Sequence, residues 1–316
     1  MQNILIRRLV DRRQINRAIN EEPATRVKID DEIYENKIRR ITEFVAREEN
    51  DFRIIMLAGP SGSGKTTTAK ILQRYLEERD IHSEVISLDH FYLGTDKMPK
   101  GPDGAPDFES IYALDLPQMN ECFMSLISDG TCVVPKFSFR TKGINGNVQV
   151  ALGDKGIAIV EGIHALNPLI IEKLPGHHLL KMYVSVESGI FEDDELLLSP
   201  RDIRLVRRTV RDSIFRNAEA AHTLSMWPGV VRGEKDYLYP HKETADININ
   251  SMHSFEPCLF RNRAIELFGS VQPEDIGYDD AQRIMQALGP FVALDERIVP
   301  GDCMLREFIG GGTYKY

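Results

Sequence analysis

A chain of 316 residues with 42% hydrophobic content can build one large α/β domain with appendages, or two small domains, and its composition is that of a globular protein. Its 39 basic and 48 acidic residues leave a net charge of −9 and a pI near 5.5, so a broad electrostatic footprint for nucleic acid is not expected and only a local basic patch is left open. No apolar run is long enough to span a membrane, and no signal-type apolar stretch follows the early arginines Arg7, Arg8, Arg12 and Arg13. The four cysteines (Cys122, Cys132, Cys258, Cys303) make no C-x-x-C pair, so the expectation is a cytoplasmic protein with reduced core thiols and neither a zinc site nor a disulfide framework.

Residues 1–50 are charged and heterogeneous. Within them, Ile33, Ile38, Ile41, Phe44 and Val45 recur at nearly helical spacing over 30–49, with Asp30, Asp31 and Glu32 at the favourable N-terminal end. This predicts an amphipathic helical extension packed on the main domain, or on a second copy of the chain as a homo-oligomer.

The main domain, expected over 51–252, opens with the apolar run Arg53–Ala58. Then follows Gly59-Pro60-Ser61-Gly62-Ser63-Gly64-Lys65-Thr66, a complete G-x-x-x-x-G-K-[ST] phosphate-binding loop, and a helical pattern over Thr67–Leu76. Strand, loop and helix in that order let the amides of the loop, through Thr67, surround phosphate oxygens. Lys65 would reach the terminal phosphates and Thr66 would offer its hydroxyl to Mg²⁺, which implies a nucleoside triphosphate. No N-K-x-D guanine-reading sequence occurs, which favours ATP over GTP.

Val85–Leu88 reads as a second parallel strand. It places Asp89 just past a carboxyl end, where it would serve as a catalytic base or, more plainly, as a turn cap. A Gly/Pro-rich loop spans 95–106, and Pro117 opens a helix to about Ser128. Val133–Phe139 and Val148–Leu152 flank the Gly143–Asn147 turn as a hairpin, either a structural flap or a substrate wall. The buried-strand pattern of 156–164 ends on Glu161, the expected Mg²⁺ orienter with Thr66, and Leu179–Val186 supplies a fourth strand.

Arg204, Arg207 or Arg208, and Arg211 share a face of the helical segment 201–212. They suggest a mobile lid, about 199–243, that clamps the transferred group, or else a solvated helix pairing its arginines with Asp202 and Asp212. Trp227–Glu243 reads as irregular and 245–250 as the last strand. Helices over 257–268 and 279–288 begin a C-terminal helical extension, 253–316, whose apolar tail should dock on the core. The fold class expected is a P-loop NTPase: a doubly wound parallel sheet of about five strands with helices on both faces, a β-hairpin flap and an Arg-rich helical lid.

In order, G-P-S-G-S-G-K-T, S-L-D-H-F-Y, P-D-F-E-S followed by A-L-D, V-P-K-F-S-F, V-E-G-I-H-A-L-N-P and D-I-R-L-V-R-R-T-V-R-D resemble the uridine kinase/phosphoribulokinase family of P-loop kinases over roughly 53–250. The W-P-x-V-x-R-G-E segment and the L-R-E-F-I-G-G tail resemble a bacterial uridine kinase-like branch. The resemblance implies an ATP- and Mg²⁺-dependent kinase acting on the primary hydroxyl of a small molecule, most naturally a nucleoside. It implies Asp89 as base, and Lys65, Arg207 and Arg211 on the reacting phosphates. Glu109 would bind ribose hydroxyls, with Arg204 near the sugar and Tyr92, Phe137, Phe139 and His164 around the acceptor.

Where uridine-cytidine kinases carry Tyr in P-x-Y-x-F and a nearby His, this chain has Phe137 and Lys142, so polar readers of a pyrimidine edge are missing. Other small alcohols, such as a sugar phosphate or a pantothenate-like compound, remain candidate acceptors. A nucleotide sensor without turnover would keep Lys65 and Thr66 but has no use for a positioned base.

Overall fold

The computed structural model describes residues 10–102, 104–153 and 155–315, so the first nine residues of the expected extension lie outside the described residues. Strand β1 (Ile54–Ala58) buries all five side chains, because a central parallel strand is covered on both faces. It lies in a five-stranded sheet of order β2-β5-β1-β6-β9, with β2 at Ser83–Ser87, β5 at Ile157–Glu161, β6 at Leu179–Ser185 and β9 at Ile247–Asn250. Every pairing is parallel. Leu57 and Ser87 both register with Glu161, so the carboxyl ends of β1, β2 and β5 deliver their next residues to one cleft.

Apolar layers cover both faces. One holds Ile54, Met56, Ala158 and Val160 against Phe91, Phe123 and the hairpin β3 (Thr131–Ser138)/β4 (Gly143–Ala151). The connecting turn is at 139–142, with Lys142 at φ 54°, and the expected turn residues Gly143–Asn147 extend β4 instead. Cys122, on the helix Leu116–Ser128, is joined to Cys132 of β3 as a disulfide, against the expectation of four reduced thiols; Cys258 and Cys303 are free and buried.

The opposite layer unites both extensions with the sheet: Ile15, Tyr34, Ile38, Leu57, Leu72, Val210, Phe260 and Phe308 belong to one core. In the N-terminal part, α1 (Arg12–Glu21) is capped by Asp11, and α2 (Pro23–Val45) begins at a proline suited to the first turn. The helix expected from residue 30 therefore starts seven residues earlier. Asp30 sits inside it, accepting from Arg26 and from the amide and hydroxyl of Ser254 (2.6 Å each). The helix after the phosphate loop, α3, is Lys65–Glu77.

Helix α4 (Pro200–Arg216) follows an unanticipated hairpin, β7 (Ile190–Glu192)/β8 (Glu195–Leu198). It starts in a capping box of Ser199 and Asp202. Far from irregular, the segment after it is helical: α5 (Ala220–Gly233) runs through Pro228 into a π-helical turn at Glu234–Leu238 and a 3₁₀ stretch at Tyr239–Thr244. Then come α6 (Glu256–Gly269), α7 (Tyr278–Leu288) and the short α8 (Arg306–Ile309), whose Phe308 is fully buried. No helix is long and apolar enough to cross a membrane among the described residues.

Candidate active site

The loop between β1 and α3 is shaped by three glycines. Gly62 (φ +74°) and Gly64 (φ +87°) adopt the left-handed backbone that other residues avoid, and a Cβ on Gly59 would lie 2.1 Å from the Val184 carbonyl of β6. Among the described residues, the amides of Gly62, Gly64, Lys65 and Thr66 donate to no other protein group, as an anion cradle at a helix N-terminus requires. Lys65 Nζ rests on the Pro60 carbonyl at 3.2 Å, reaching back across the cradle. Two carboxylates remote in sequence grip its rim. Glu234 accepts from the Ser61 amide (3.0 Å), and Glu307 of α8 accepts from the amide and hydroxyl of Thr67 (3.2 and 2.7 Å). Neither was anticipated. Glu234 belongs to the W-P-x-V-x-R-G-E segment and Glu307 to the apolar tail, so composition marked the segments but not the residues.

At the strand ends, Glu161 is buried beside the Ser87 hydroxyl. Desolvation raises its pKa to about 7, with Lys65 pulling it down and Asp89 pushing it up. Asp89 follows β2 in the 3₁₀ turn Leu88–Phe91, reachable by solvent but walled by protein. Crowding raises its pKa, while Lys65, His90, Arg216 and Arg211 hold it down. Two carboxylates that both feel the Lys65 ammonium, together with the hydroxyl of Thr66 in the first turn of α3, are a hard-oxygen donor set that fits Mg²⁺.

Glu109, half-buried, has its pKa raised to about 7 by desolvation, with Arg208 opposing. A Cβ on Gly233 would meet its side chain at 2.4 Å, so the glycine of that same segment makes room for it. His164 is buried with neither ring nitrogen hydrogen-bonded. Burial lowers its pKa to about 4, against a raising influence of the Glu109 backbone, and its ring meets Tyr237 edge-on at 5.6 Å. Beyond it, Tyr92, Phe108, Phe137 and Phe139 form a ring cluster with centroids 5.3–6.0 Å apart. Phe139 is exposed, and the Tyr92 hydroxyl donates to the Phe108 carbonyl (2.7 Å). A surface concavity lined by Pro60, Tyr183, Arg201, Trp227, Tyr239 and Arg283 among others contains none of Lys65, Asp89, Glu109 or Glu161.

The arginines of α4 are placed differently from the expectation. Arg204 lies against the outer bend of the loop, donating to the Ser61 carbonyl (2.9 Å) and to both oxygens of Glu234 (2.6 and 2.9 Å), with its guanidinium 5.4 Å from the Trp227 ring centroid. Arg207 is fully buried, forked on Glu256 (2.6 and 2.5 Å) and donating to Ser251 and to the Gly62 carbonyl (3.1 Å). These two brace the loop from its back, because a guanidinium buried among carbonyls takes the carboxylates that neutralise it. Arg208 donates to Ser61 Oγ (2.8 Å), and the partly exposed Arg211 pairs with Asp212 (3.1 Å) and lies 3.9 Å from Glu307. Of the α4 arginines, Arg216 and Arg211 are thus the ones that act on Asp89, beside Lys65, and Arg208 is the one that acts on Glu109.

A parallel sheet in this order, with the phosphate loop on its central strand and acidic groups at the neighbouring carboxyl ends, defines a P-loop NTPase fold built for phosphoryl transfer. The chain belongs to the phosphoribulokinase/uridine kinase family, whose model matches residues 54–256, and is a P-loop kinase of that type. It is 24% identical to a uridine kinase of Ureaplasma parvum serovar 3 over 198 residues, covering 62% of this chain and 86% of the relative. It is 26% identical to one of Staphylococcus haemolyticus over 197 residues, with the same coverage. A "possible uridine kinase" from Bacillus stearothermophilus superposes with a TM-score of 0.46 at 16% identity, over 68% of this chain and 97% of that one.

Proposed function

We propose that this cytoplasmic kinase transfers the γ-phosphoryl group of ATP to the 5′-hydroxyl of a ribonucleoside, with loose selection of the base. The observation that carries the acceptor class is the convergence of Glu109 and the buried, neutral His164, whose ring reaches the Glu109 backbone, with an aromatic cluster whose Tyr92 hydroxyl is engaged by the Phe108 carbonyl. A carboxylate and an imidazole suit vicinal hydroxyls, and rings suit the face of a base.

In this reading the cradle amides of Gly62 to Thr66 and Lys65 bind the phosphates of ATP. Thr66 and Glu161 hold Mg²⁺, which when bound neutralises charge on the phosphate oxygens. Asp89 accepts the proton of the attacking hydroxyl and aligns it, a role that requires its ionised form. Lys65, Arg211 and Arg216 favour that form. Arg208 and Arg211 supply the cationic face toward the transferred group, and Tyr92, Phe137 and Phe139 pack against the acceptor.

The test is kcat/KM for uridine, cytidine, 2′-deoxyuridine and a panel of non-nucleoside alcohols, followed by ADP release. Uridine and cytidine should differ by no more than roughly 10–200-fold, the range of apolar pockets, and the deoxy compound should be the poorer acceptor. Turnover of a non-nucleoside alcohol alone would reject the nucleoside reading and leave the kinase intact.

A further inference from the structure

Behind the phosphate loop, three residues from three separate parts of the chain converge: Asp31 of α2, His253 from the segment after β9, and Cys303, three residues before α8. One donor atom from each lies within 4.8 Å of the others. His253 and Cys303 are fully buried and Asp31 is nearly so. His253 Nδ1 faces the Ser251 carbonyl at 3.2 Å, an acceptor, so Nδ1 carries the hydrogen and Nε2 presents its lone pair. Nε2 has no hydrogen-bond partner, and neither has Asp31 Oδ1, 3.8 Å away. Two acceptor atoms therefore face each other in a buried space; the Cys303 thiol reaches Asp31 as a donor, but Nε2 has none, a costly arrangement that a cation between them would relieve.

The neighbouring groups do not supply that cation. Arg207 is committed to Glu256, Arg26 to Asp30, the Tyr34 hydroxyl to Thr68 Oγ1 (2.5 Å), and the rings of Tyr34 and Phe255 close on the imidazole at 5.4 and 5.6 Å.

We infer that Asp31, His253 and Cys303 form a zinc site that ties the N-terminal helix to the C-terminal tail. One thiolate, one imidazole and one carboxylate form a donor set suited to this borderline ion, and bonds of about 2.0–2.3 Å would bring the donors closer by up to about 1.3 Å. A ring N–H donated to a backbone carbonyl is the usual support of a zinc-ligating histidine. Binding displaces the Cys303 proton to solvent, leaving Zn–S, Zn–N and Zn–O bonds and a fourth position for a solvent oxygen. Met304, the next residue, would be 2.5 Å from a Cβ on Gly64, and Glu307 holds Thr67, so the ion would pin the segment that backs the loop.

The experiment takes the full chain without an affinity tag, stripped by chelator, incubated with excess Zn²⁺ or Co²⁺ and desalted. About one equivalent of zinc should remain per chain, Tm should rise on loading, and cobalt should give thiolate charge-transfer absorption. Cys303→Ser should abolish that absorption and weaken zinc binding by roughly 10-fold or more. Asp31→Asn, on the least buried ligand, should weaken zinc binding while keeping the thiolate band, and serves if the serine variant does not fold. Less than about 0.1 equivalent of zinc retained, cobalt bound without the thiolate band, or a band and affinity unchanged in both variants would each overturn the assignment.

Discussion

Replacing Arg207 with Met separates the two roles this residue could have. If the guanidinium served the reacting phosphates, its loss would fall on kcat and leave stability alone. In the structure it is fully buried and makes five hydrogen bonds: two to Glu256, two to Ser251 and one to the Gly62 carbonyl. Removing it leaves the Glu256 carboxylate buried without its countercharge, a defect that costs about 3–5 kcal/mol. At roughly 2–4 °C per kcal/mol for chains of 150–250 residues, and somewhat less for a longer one, Tm should fall by about 6–15 °C. Calorimetry or dye-monitored melting reads this directly.

Because Gly62 loses a support, KM for ATP should rise while kcat, measured well below the new Tm, stays within about 10-fold of the parent. Adding Glu256→Gln should cost less than the sum of the single changes, since the two groups neutralise each other. Arg211→Ala is the contrast: partly exposed, paired with Asp212 and acting on Asp89 through its charge, it should lower kcat with little change in Tm. An Arg207→Met protein with the parental Tm and a collapsed kcat would refute the bracing role and restore the phosphate-facing one.

Asp89→Asn should leave ATP affinity nearly unchanged in a binding titration and lower kcat by about 10²–10⁴, the usual contribution of a general base; near-normal turnover would remove Asp89 from that role. In the proposed function Glu161 and Glu109, each raised to about 7, act ionised on a cation and on ribose hydroxyls, so kcat/KM should climb with pH through that region and level off above it. Stability runs the other way. The folded Glu161 keeps a proton that the unfolded chain releases at its ordinary value of 4.5, so its contribution is present below that value and lost as pH rises toward 7. Glu161→Gln should therefore melt higher than the parent at pH 8 while being inactive, and an equal or lower Tm there would contradict the desolvation account.

The local signals of this chain carried most of its fold. An apolar pentapeptide, a glycine-rich turn and Lys65-Thr66 ahead of a helix specify a P-loop by backbone sterics alone, and Glu161 and Asp89 were legible because each directly ends or follows a buried-strand pattern. What α4 does with its arginines could not be read in the same way. A row of guanidinium groups on one helical face is equally compatible with phosphate, water or buried acids, and the choice was made by Glu234 and Glu256, which are 30 and 49 residues away from Arg204 and Arg207. The same holds for Glu307 on Thr67, 240 residues apart, and for the meeting of Asp31, His253 and Cys303. Helix, strand and turn preferences act over a few residues, whereas the partner of a buried charge is fixed by which distant elements share its core. Tertiary packing alone therefore decided which cations of α4 are taken up by buried acids behind the loop.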